Sequence, residues 1–540
     1  MRQEILELTK RMVEIPSINA TGGERKIGVF IETYLRELPY FKEHPEQVIV
    51  QELKDDVLHR RNVFALLIGE KERKADTLLF HGHTDTVGID DFGALRDYAC
   101  RPDALMEQLK DVELPAEVRE DLESGEYLFG RGACDMKSGD AVFLVLMKHL
   151  SAHPKEVSGN ILLSFNPVEE NLHTGIIEGS RVLLALQKTY GLSYRLAVNN
   201  DYICPMYRGD THRYIYTGVG GKLLPCFYIR GRETHVGQCY EGFCASTTAA
   251  NLVAELNLNS AYSDGYDGEY SLPPTVLKMK DLKSWYNVQT AQEAFVYFNY
   301  FVHNAGVDEI VAGLKRAGER AFARTAADRQ EKYREFCKLT GKEYKELQQD
   351  YEVLTYEELY QRAQGKAALD RELDDLTTRL EREGVDKREI PIPLVQKLLE
   401  TAKITKPVMV LYFAAPYCPH NTLKEKDADI LGGLEKIAAQ MEQEEHLEYE
   451  ICHFFPSLSD SSYLRIDDTA ESVELLQHNF PQMDRLYPLP FEEMMELHIP
   501  AVNFGVYGKD AHKWTERVYM PYSFETLPRL LMKAIHEFLG

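Results

Sequence analysis

The chain has 540 residues, of which 44% are hydrophobic and 27% are charged, and its formal net charge at pH 7 is −24. This length exceeds one ordinary hydrophobic core, so two or three lobes of a globular protein are expected. The negative charge argues against a nucleic-acid surface and against a polybasic membrane contact, and no apolar run approaches the roughly 18 residues of a membrane span.

The spacing of the cysteines and the pattern of the N-terminal residues predict where in the cell the protein is found. Nine cysteines are scattered between Cys100 and Cys452 without a CxxC pair, which is typical of reduced thiols. The N-terminus opens an amphipathic helix rather than a signal peptide. We therefore expect a cytoplasmic protein whose partners include neither nucleic acid nor a membrane.

The N-terminal part of the chain alternates between helical and strand patterns. It opens with two amphipathic helices, the first of which should end before Pro16. Apolar runs then predict strands, and longer apolar-periodic runs predict helices, in the order strand 62–68, strand 77–80, helix 141–150, strand 161–165, helix 176–189 and strand 196–198. This alternation predicts an α/β fold with a doubly wound, mostly parallel sheet.

The middle of the chain has a different character, beginning at about residue 214. The patterns predict a small α+β domain from the strand 223–230, the helix 246–258 and the strands 275–282, 293–302 and 407–413. Between these strands, residues 307–384 are rich in Glu, Lys, Arg, Gln and Ala at helical periodicity. We interpret their charges as a solvated helix face rather than a binding tract.

The helix and strand alternation returns from about residue 427, with a buried strand at 499–505 and a closing helix at 523–539. The second domain is therefore predicted to be inserted into the first. We expect residues 1–213 and 425–540 to form one domain and residues 214–424 to form the insert.

One apolar run, 77–80, stops at the sequence His81-Gly82-His83-Thr84-Asp85. The side chains of His83 and Asp85 leave an extended backbone on the same side, and ligands of open α/β sheets bind beyond the carboxyl ends of strands. One residue could bind a metal through a ring nitrogen while the other orients it. Taken alone, the pattern is common by chance, and a structural histidine is the ordinary alternative.

Four further stretches place a metal-binding type of side chain after an apolar run or a glycine turn. They carry Asp135, the adjacent pair Glu169-Glu170, Asp201 and His512. Two histidines and three carboxylates form a mixed nitrogen and oxygen set suited to two divalent ions that share a carboxylate. Without the other motifs, the glutamate pair would be interpreted as a solvated strand end.

In this order, the five motifs resemble the di-zinc superfamily of aminoacylases, dipeptidases and carboxypeptidase G. This resemblance implies an α/β catalytic domain with an inserted lid and dimerisation domain. It implies metal ligation by His83, Asp135, Glu170, Asp201 and His512, with Asp135 bridging the two ions. It also implies that Asp85 orients the first histidine and that Glu169 is the general base.

The insert carries a second point of resemblance. The sequence 231–237, followed by Glu241-Gly242, resembles the lid motif whose histidine stabilises an oxyanion, which makes His235 a candidate donor. An exposed loop histidine is an equally weighted alternative. Because this residue crosses a dimer interface in many relatives, the resemblance suggests homodimerisation through the lid. Cys134 lacks an identifiable base, so a packing role is favoured over a nucleophilic one.

Three features depart from the common form of the superfamily. The spacing between His83 and Asp135 is long, so residues 90–126 are expected to form an elaboration near the site. The lid lacks an obvious arginine near a strand end, and the helices of 307–384 enlarge it. Together with the segment 415–419, these features resemble the arginine-utilisation branch of bacilli.

The motifs and the resemblance together predict a metal-dependent hydrolase that cleaves the amide or peptide bond of a small N-acyl amino acid or dipeptide. The resemblance to the arginine-utilisation branch suggests a place in arginine or ornithine breakdown but leaves the substrate open. Zinc is the expected metal, and cobalt and manganese accept the same ligands. Two alternatives are a catalytically silent binding or assembly protein on this fold and a hydrolase of carbamoyl or ureido groups. A competent side chain at every ligand position favours an enzyme.

Overall fold

The computed structural model describes residues 1–363 and 368–540. These residues form two compact units. Unit 1 comprises 1–220, 419–466 and 490–540, and unit 2 comprises 221–418 and 467–489.

The unit boundaries lie a few residues inside the predicted insert of 214–424, and one segment differs from the prediction. Residues 467–489, expected in the catalytic domain with the rest of 425–540, belong to unit 2. The segment is tied there by hydrogen bonds: Ser472 Oγ accepts from the Val307 amide, and the Asn479 carbonyl accepts from the Phe413 amide. Such long-range pairings leave no local sequence signal.

The α-helices are, in chain order, Arg2–Val13 (α1), Gly23–Glu37 (α2), Pro39–Glu43 (α3), Pro102–Leu109 (α4), Ala116–Ser124 (α5), Lys137–Ser151 (α6), Thr174–Tyr190 (α7), Ala245–Leu256 (α8), Val307–Thr340 (α9), Tyr356–Ala363 (α10), Leu369–Arg382 (α11), Pro391–Thr401 (α12), Ala428–Glu445 (α13), Ala470–His478 (α14), Met483–Leu486 (α15), Phe491–Leu497 (α16) and Leu527–Leu539 (α17).

The strands are, in chain order, Val48–Glu52 (β1), Arg61–Ile68 (β2), Glu72–His83 (β3), Tyr127–Phe129 (β4), Ser158–Asn166 (β5), Ser193–Asn199 (β6), Arg213–Tyr216 (β7), Gly218–Val219 (β8), Gly221–Leu223 (β9), Pro225–Arg230 (β10), Gly265–Tyr266 (β11), Glu269–Tyr270 (β12), Thr275–Asp281 (β13), Glu293–Val302 (β14), Glu352–Thr355 (β15), Val408–Phe413 (β16), Asn421–Thr422 (β17), Tyr449–Cys452 (β18), Ala501–Asn503 (β19), Gly508–Lys509 (β20) and Arg517–Tyr519 (β21).

Unit 1 is built on a mixed sheet with the strand order β1-β2-β5-β3-β6-β19-β7-β18. Its centre, from β5 to β19, is parallel, and so is the pair of β7 and β18. The pairs β1–β2, β2–β5 and β19–β7 are antiparallel. Apolar side chains of α1, α6, α13 and α17 pack with the sheet in one core. The predicted α/β fold class is confirmed, with antiparallel pairings added on both sides of the parallel centre.

The parallel register brings the motifs to one edge. His83 of β3 pairs with Asn166 of β5, and His81 of β3 pairs with Asn199 of β6. The three strands therefore end within two residues of one another. The chain leaves this edge into the residues that follow each strand, which carry the predicted site, as expected for the carboxyl ends of strands in an open α/β sheet.

Unit 2 contains a sheet in the order β13-β14-β10-β16-β15, with β9 also paired to β14. The pairs are antiparallel except β15–β16. The stretch predicted as helical, 307–384, contains α9, α10 and α11 but also the strand β15. Its Val353 and Leu354 are buried, and the pairing with β16 outweighs the helical character of the surrounding charged sequence. Residues 364–367 of this stretch lie outside the described residues.

Over the residues that the structure describes, no helix combines the length and the apolar character that crossing a bilayer requires.

Candidate metal centre

His83 ends β3 and is buried, with 3% of its side chain exposed. Its Nε2 lies 2.9 Å from Asp135 Oδ1, and its Nδ1 lies 3.1 Å from the main-chain carbonyl of Asp85 and 3.7 Å from Asp85 Oδ1. Asp85 thus contacts His83 Nδ1 chiefly through its main-chain carbonyl. A histidine held at one nitrogen presents the other in a fixed direction, as metal-binding histidines do.

The Asp85 carboxylate has a second task. Its Oδ1 accepts a hydrogen bond from the Glu169 amide at 3.0 Å, and its Oδ2 accepts from the Glu170 amide at 3.2 Å and from Asn19 Nδ2 at 2.9 Å. The turn that carries Glu169 and Glu170, called here the glutamate turn, is therefore hydrogen-bonded to the fully buried carboxylate of Asp85 at the end of β3. Val168, directly before this turn, has φ 72°, a conformation that β-branched residues rarely adopt and that occurs at functional turns.

Asp135 joins the two histidines of the site. Its Oδ1 faces His83 Nε2, and its Oδ2 lies 3.1 Å from His512 Nε2. The peptide bond between Asp135 and Met136 is cis. The amides of Cys134 and Asp135 both donate to Glu516 Oε1, at 3.1 and 3.2 Å. One carboxylate with an oxygen toward each histidine suits a bridging ligand.

His512 lies on an exposed loop between β20 and β21, and 51% of its side chain is exposed. Its Nε2 is 3.0 Å from Glu170 Oε1. The loop is fastened to the long insertion that the sequence predicted near the site: Asp121 of α5 accepts from Arg517 Nε at 2.7 Å and from Lys509 Nζ at 3.0 Å. Trp514 packs against the small apolar core that this insertion forms with β4.

The predicted ligands and the predicted general base Glu169 gather into three overlapping groups, and the donor atoms within each group lie within 4.8 Å of one another. These groups are His83, Asp135 and Asp201; His83, Glu169 and Glu170; and Asp135, Glu170 and His512. The shared members connect the groups into one cluster of nitrogen and carboxylate donors. This donor set could hold two divalent ions with Asp135 between them.

The electrostatics of the cluster favour a cation. Burial raises the pKa of Asp201 to about 8, with the charge of Asp135 as a further cause, and burial also raises the pKa of Glu170. Burial opposes ionisation of Asp135 too, but the hydrogen bonds with His512 and His83 outweigh it and keep the pKa of Asp135 below its ordinary value. Buried carboxylates that repel one another are stabilised when a cation lies among them.

The pKa values of the two histidines are raised as well. Hydrogen bonds with Asp135 and Glu170 raise the pKa of His512 to about 11. Burial lowers the pKa of His83, but the hydrogen bond with Asp135 outweighs it, so that this pKa lies well above the ordinary value. Both imidazoles therefore hold protons that a metal ion would have to displace.

Glu169 is buried and directly precedes Glu170, a predicted metal ligand. Burial raises its pKa well above the ordinary value, while His83 and His173 act against that rise. A carboxyl group with a raised pKa, close to a metal-binding cluster, has the properties of a general base or acid.

Sequence reasoning missed three residues of this region. His173 and Asp460 are buried and hydrogen-bonded to each other at 3.0 Å beside Glu169. Glu516, in the same loop as His512, binds the Asp135 amide and the Arg131 side chain at 2.6 Å. The proximity of Glu516 to His512 in sequence was an available signal, but Asp460 follows no motif that pointed to the site.

Two other residues that the sequence analysis considered, His235 and Cys134, belong to none of the three donor groups. His235 is exposed in unit 2, and its Nδ1 accepts a hydrogen bond from the Gly237 amide at 3.0 Å. Its role as an oxyanion donor stays a prediction. Cys134 is fully buried, and burial raises the pKa of its thiol well above the ordinary value, as expected of a packing residue rather than a nucleophile.

Comparison with known proteins identifies the family. Residues 79–537 match the model of peptidase family M20/M25/M40. Protein RocB of Bacillus subtilis (strain 168) is 37% identical over 535 residues, which cover 98% of this chain and 94% of that protein. The uncharacterized protein YqjN of the same strain is 32% identical over 542 residues, covering 100% of this chain and 97% of that protein.

A similar fold occurs among solved structures. The aminopeptidase PepT from Bacillus cereus has a TM-score of 0.54 with 14% identity, covering 100% of this chain and 99% of that chain. The TM-score shows a shared fold. Together with the family match over most of the chain, it leads to one conclusion: the protein is a member of peptidase family M20/M25/M40.

Proposed function

We propose that this protein is a di-metal hydrolase that cleaves the amide or peptide bond of a small N-acyl amino acid or dipeptide. The observation that carries the proposal is the connected cluster of donor groups, in which a buried glutamate, Glu169, lies directly beside the ligand position of Glu170. Zinc is the metal we propose first, because mixed histidine and carboxylate sets suit it, and cobalt or manganese could replace it.

In the proposed reaction each residue has one task. His83 and Asp201 would hold one ion, Glu170 and His512 the other, and Asp135 both. When bound, the two ions would polarise the amide carbonyl and lower the pKa of the attacking water. Glu169 would accept the proton of that water at a carboxylate oxygen and return it to the leaving amine, as a general base that becomes a general acid.

The insert would contribute the remaining polar group. We propose that His235 donates a hydrogen bond to the oxyanion that forms at the substrate carbonyl. Its exposed position on a loop leaves the ring accessible to a substrate, and its Nδ1 is already engaged by Gly237, which leaves Nε2 to donate. His235 could stabilise the oxyanion only when its loop contacts the bound substrate.

The resemblance to the arginine-utilisation branch of bacilli suggests which substrates to test first, although it does not fix the substrate. The 37% identity with protein RocB over nearly the whole chain supports that grouping. We therefore propose an N-acyl or dipeptidyl form of arginine or ornithine as the first compounds to test.

The direct test combines metal analysis with a substrate screen. We expect about two ions per chain in the purified protein and turnover of at least one such compound once the metal is restored. Glu169→Gln should abolish turnover at unchanged metal content, whereas Glu170→Ala should lower the metal content. These adjacent substitutions serve as matched controls. If both variants kept full activity, the hydrolase assignment would be wrong.

We also propose a homodimer formed through the insert. The strand β13 lies at the end of the unit 2 sheet, and its Leu277 and Met279 are exposed, as are the nearby Trp285 and Tyr286. Exposed edge strands with apolar side chains are prone to pair with another chain. Sedimentation of the wild type and of Met279→Lys would test the proposal: a dimer that dissociates in the variant supports it, and a monomeric wild type contradicts it.

A cytoplasmic location is the remaining proposal. The described cysteines are free thiols, which are typical of proteins in a reducing compartment. Fractionation of cells that produce the protein, followed by immunodetection, would test it, and recovery outside the cytoplasmic fraction would contradict it.

A further inference from the structure

His173 is a buried histidine beside the proposed general base. It precedes α7 with φ 55°, and 3% of its side chain is exposed. Its Nδ1 lies 3.0 Å from Asp460 Oδ1, which is equally buried, and 3.9 Å from Glu169 Oε1. Its ring also packs against Tyr463, with centroids 5.1 Å apart. The imidazole is therefore anchored by Asp460 and Tyr463, and the same Nδ1 edge that is bonded to Asp460 also lies within ion-pair distance of Glu169.

The contact between His173 and Glu169 bears on which of the two adjacent glutamates ligates a metal ion. The donor atoms of His83, Glu169 and Glu170 all lie within 4.8 Å of one another, so either glutamate is close enough to ligate an ion. The backbone does not distinguish them, because Asp85 accepts a hydrogen bond from the amide of each. A general base must stay free of the metal if it is to take a proton.

The side chains differ in their neighbours. Glu170 Oε1 lies 3.0 Å from His512, a ligand position, whereas Glu169 Oε1 lies near His173, which belongs to none of the donor groups. The hydrogen bond of His173 Nδ1 goes to Asp460, and its contact with Glu169 is electrostatic. In a buried site, the positive edge of the ring attracts a second carboxylate more strongly than it would in water. His173 thus offers Glu169 an alternative to coordination.

We propose that His173, anchored by Asp460, is a positioning residue that holds the Glu169 carboxylate away from the metal ions. Glu170 then serves as the ligand, and Glu169 is kept for proton transfer. This inference rests on the proposed hydrolase function, and it adds a residue pair that acts through Glu169 rather than on the substrate.

The test uses the full-length, chelator-stripped protein and Co²⁺, whose visible absorption bands weaken when a further oxygen ligand raises the coordination number. His173→Asn and His173→Gln form a matched pair, because the amide nitrogen of Asn overlaps Nδ1 and that of Gln overlaps Nε2. We expect the wild type and His173→Asn to give the same cobalt spectrum. We expect His173→Gln to lose band intensity, because Glu169 is released to coordinate.

A double variant shows whether the effect passes through Glu169. In the Glu169→Gln background, His173→Gln should cause no further spectral change, since no carboxylate remains to move. Asp460→Asn should resemble His173→Gln, and calorimetry should report a change of about 10- to 100-fold in Co²⁺ affinity for both, the range known for residues that support metal ligands.

The outcomes separate the two proposals. A wild type that binds no Co²⁺ would overturn the hydrolase function and this inference with it. If the wild type binds two Co²⁺ ions and both His173 variants match its spectrum, only the positioning role is wrong. The same holds if His173→Gln changes the spectrum equally with and without the Glu169 carboxylate.

Discussion

The two halves of the candidate metal centre are held in different ways. The half on the strand ends is buried. His83 and Asp85 lie at the end of the parallel strands, and the Asp85 carboxylate accepts hydrogen bonds from the backbone amides of the glutamate turn. The half on the late loop is exposed: about half of the His512 side chain is accessible, and the loop is fastened by ion pairs from Arg517 to Asp121 and Asp510. The central sheet therefore fixes one half, while the other needs a support of its own, which the insertion at 90–126 supplies.

The largest effect should follow from breaking the buried half. Asp85→Ala leaves the buried amides of Glu169 and Glu170 without their acceptor, and it should lower the free energy of unfolding by about 3 kcal/mol, given the cost of unsatisfied buried donors. Denaturant titration of the metal-free protein would measure this. The exposed Asp111→Ala is the control and should leave the midpoint unchanged. An equal loss in both variants would contradict the structural role of Asp85.

A smaller effect should follow from loosening the exposed half. Asp121→Ala removes the acceptor of Arg517 and Lys509, so the His512 loop loses its attachment to α5. We expect the affinity for one of the two ions to fall by about 10- to 100-fold, as for other residues that support a ligand from behind. Two-step calorimetric titration would show it. A uniform weakening of both ions would mean that the halves are not held separately.

The metal affinity of both halves of the site should depend on pH, because each half contains a histidine with a raised pKa. The pKa of His512 is raised to about 11 and that of His83 lies well above the ordinary value, so both are protonated at neutral pH in the metal-free protein. Metal ions require neutral imidazoles and release these protons. Affinity should therefore rise with pH between 6 and 8, by about tenfold per unit for each proton displaced.

Calorimetry in two buffers of different ionisation enthalpy would count the released protons. His512→Ala should release fewer protons than the wild type while retaining one ion. Binding without proton release would contradict the raised pKa values of the two histidines.

The smallest effect concerns the surface of the exposed half. Lys513 pairs with Asp510 at 3.0 Å, but 68% of its side chain is exposed. Lys513→Ala should change the free energy of unfolding by less than about 0.5 kcal/mol, since exposed ion pairs contribute little. Metal affinity should also stay the same. A loss comparable to that of Asp121→Ala would show that the loop depends on its surface charges as well.

Much of the fold was accessible from local patterns. The central strands β3, β5 and β6 are continuous apolar runs, which indicate strands buried on both faces, and α6 and α7 carry helical periodicity. The strand β15 was missed because its short apolar run lies within charged helical sequence. The antiparallel pairings at the sides of the sheet were missed because pairing direction depends on distant partners.

The site shows the same division. The residue types of His83, Asp135, Glu170, Asp201 and His512 were evident from motifs that each follow an apolar run or a glycine turn. The sequence by itself determined which side chains could bind a metal, because ligand chemistry depends on residue type. Only the tertiary structure decided that they meet within a few ångströms and that Asp85 holds the glutamate turn. It alone brought His173 and Asp460 beside Glu169, because contacts across hundreds of residues are set by the packing of the whole sheet and leave no local trace.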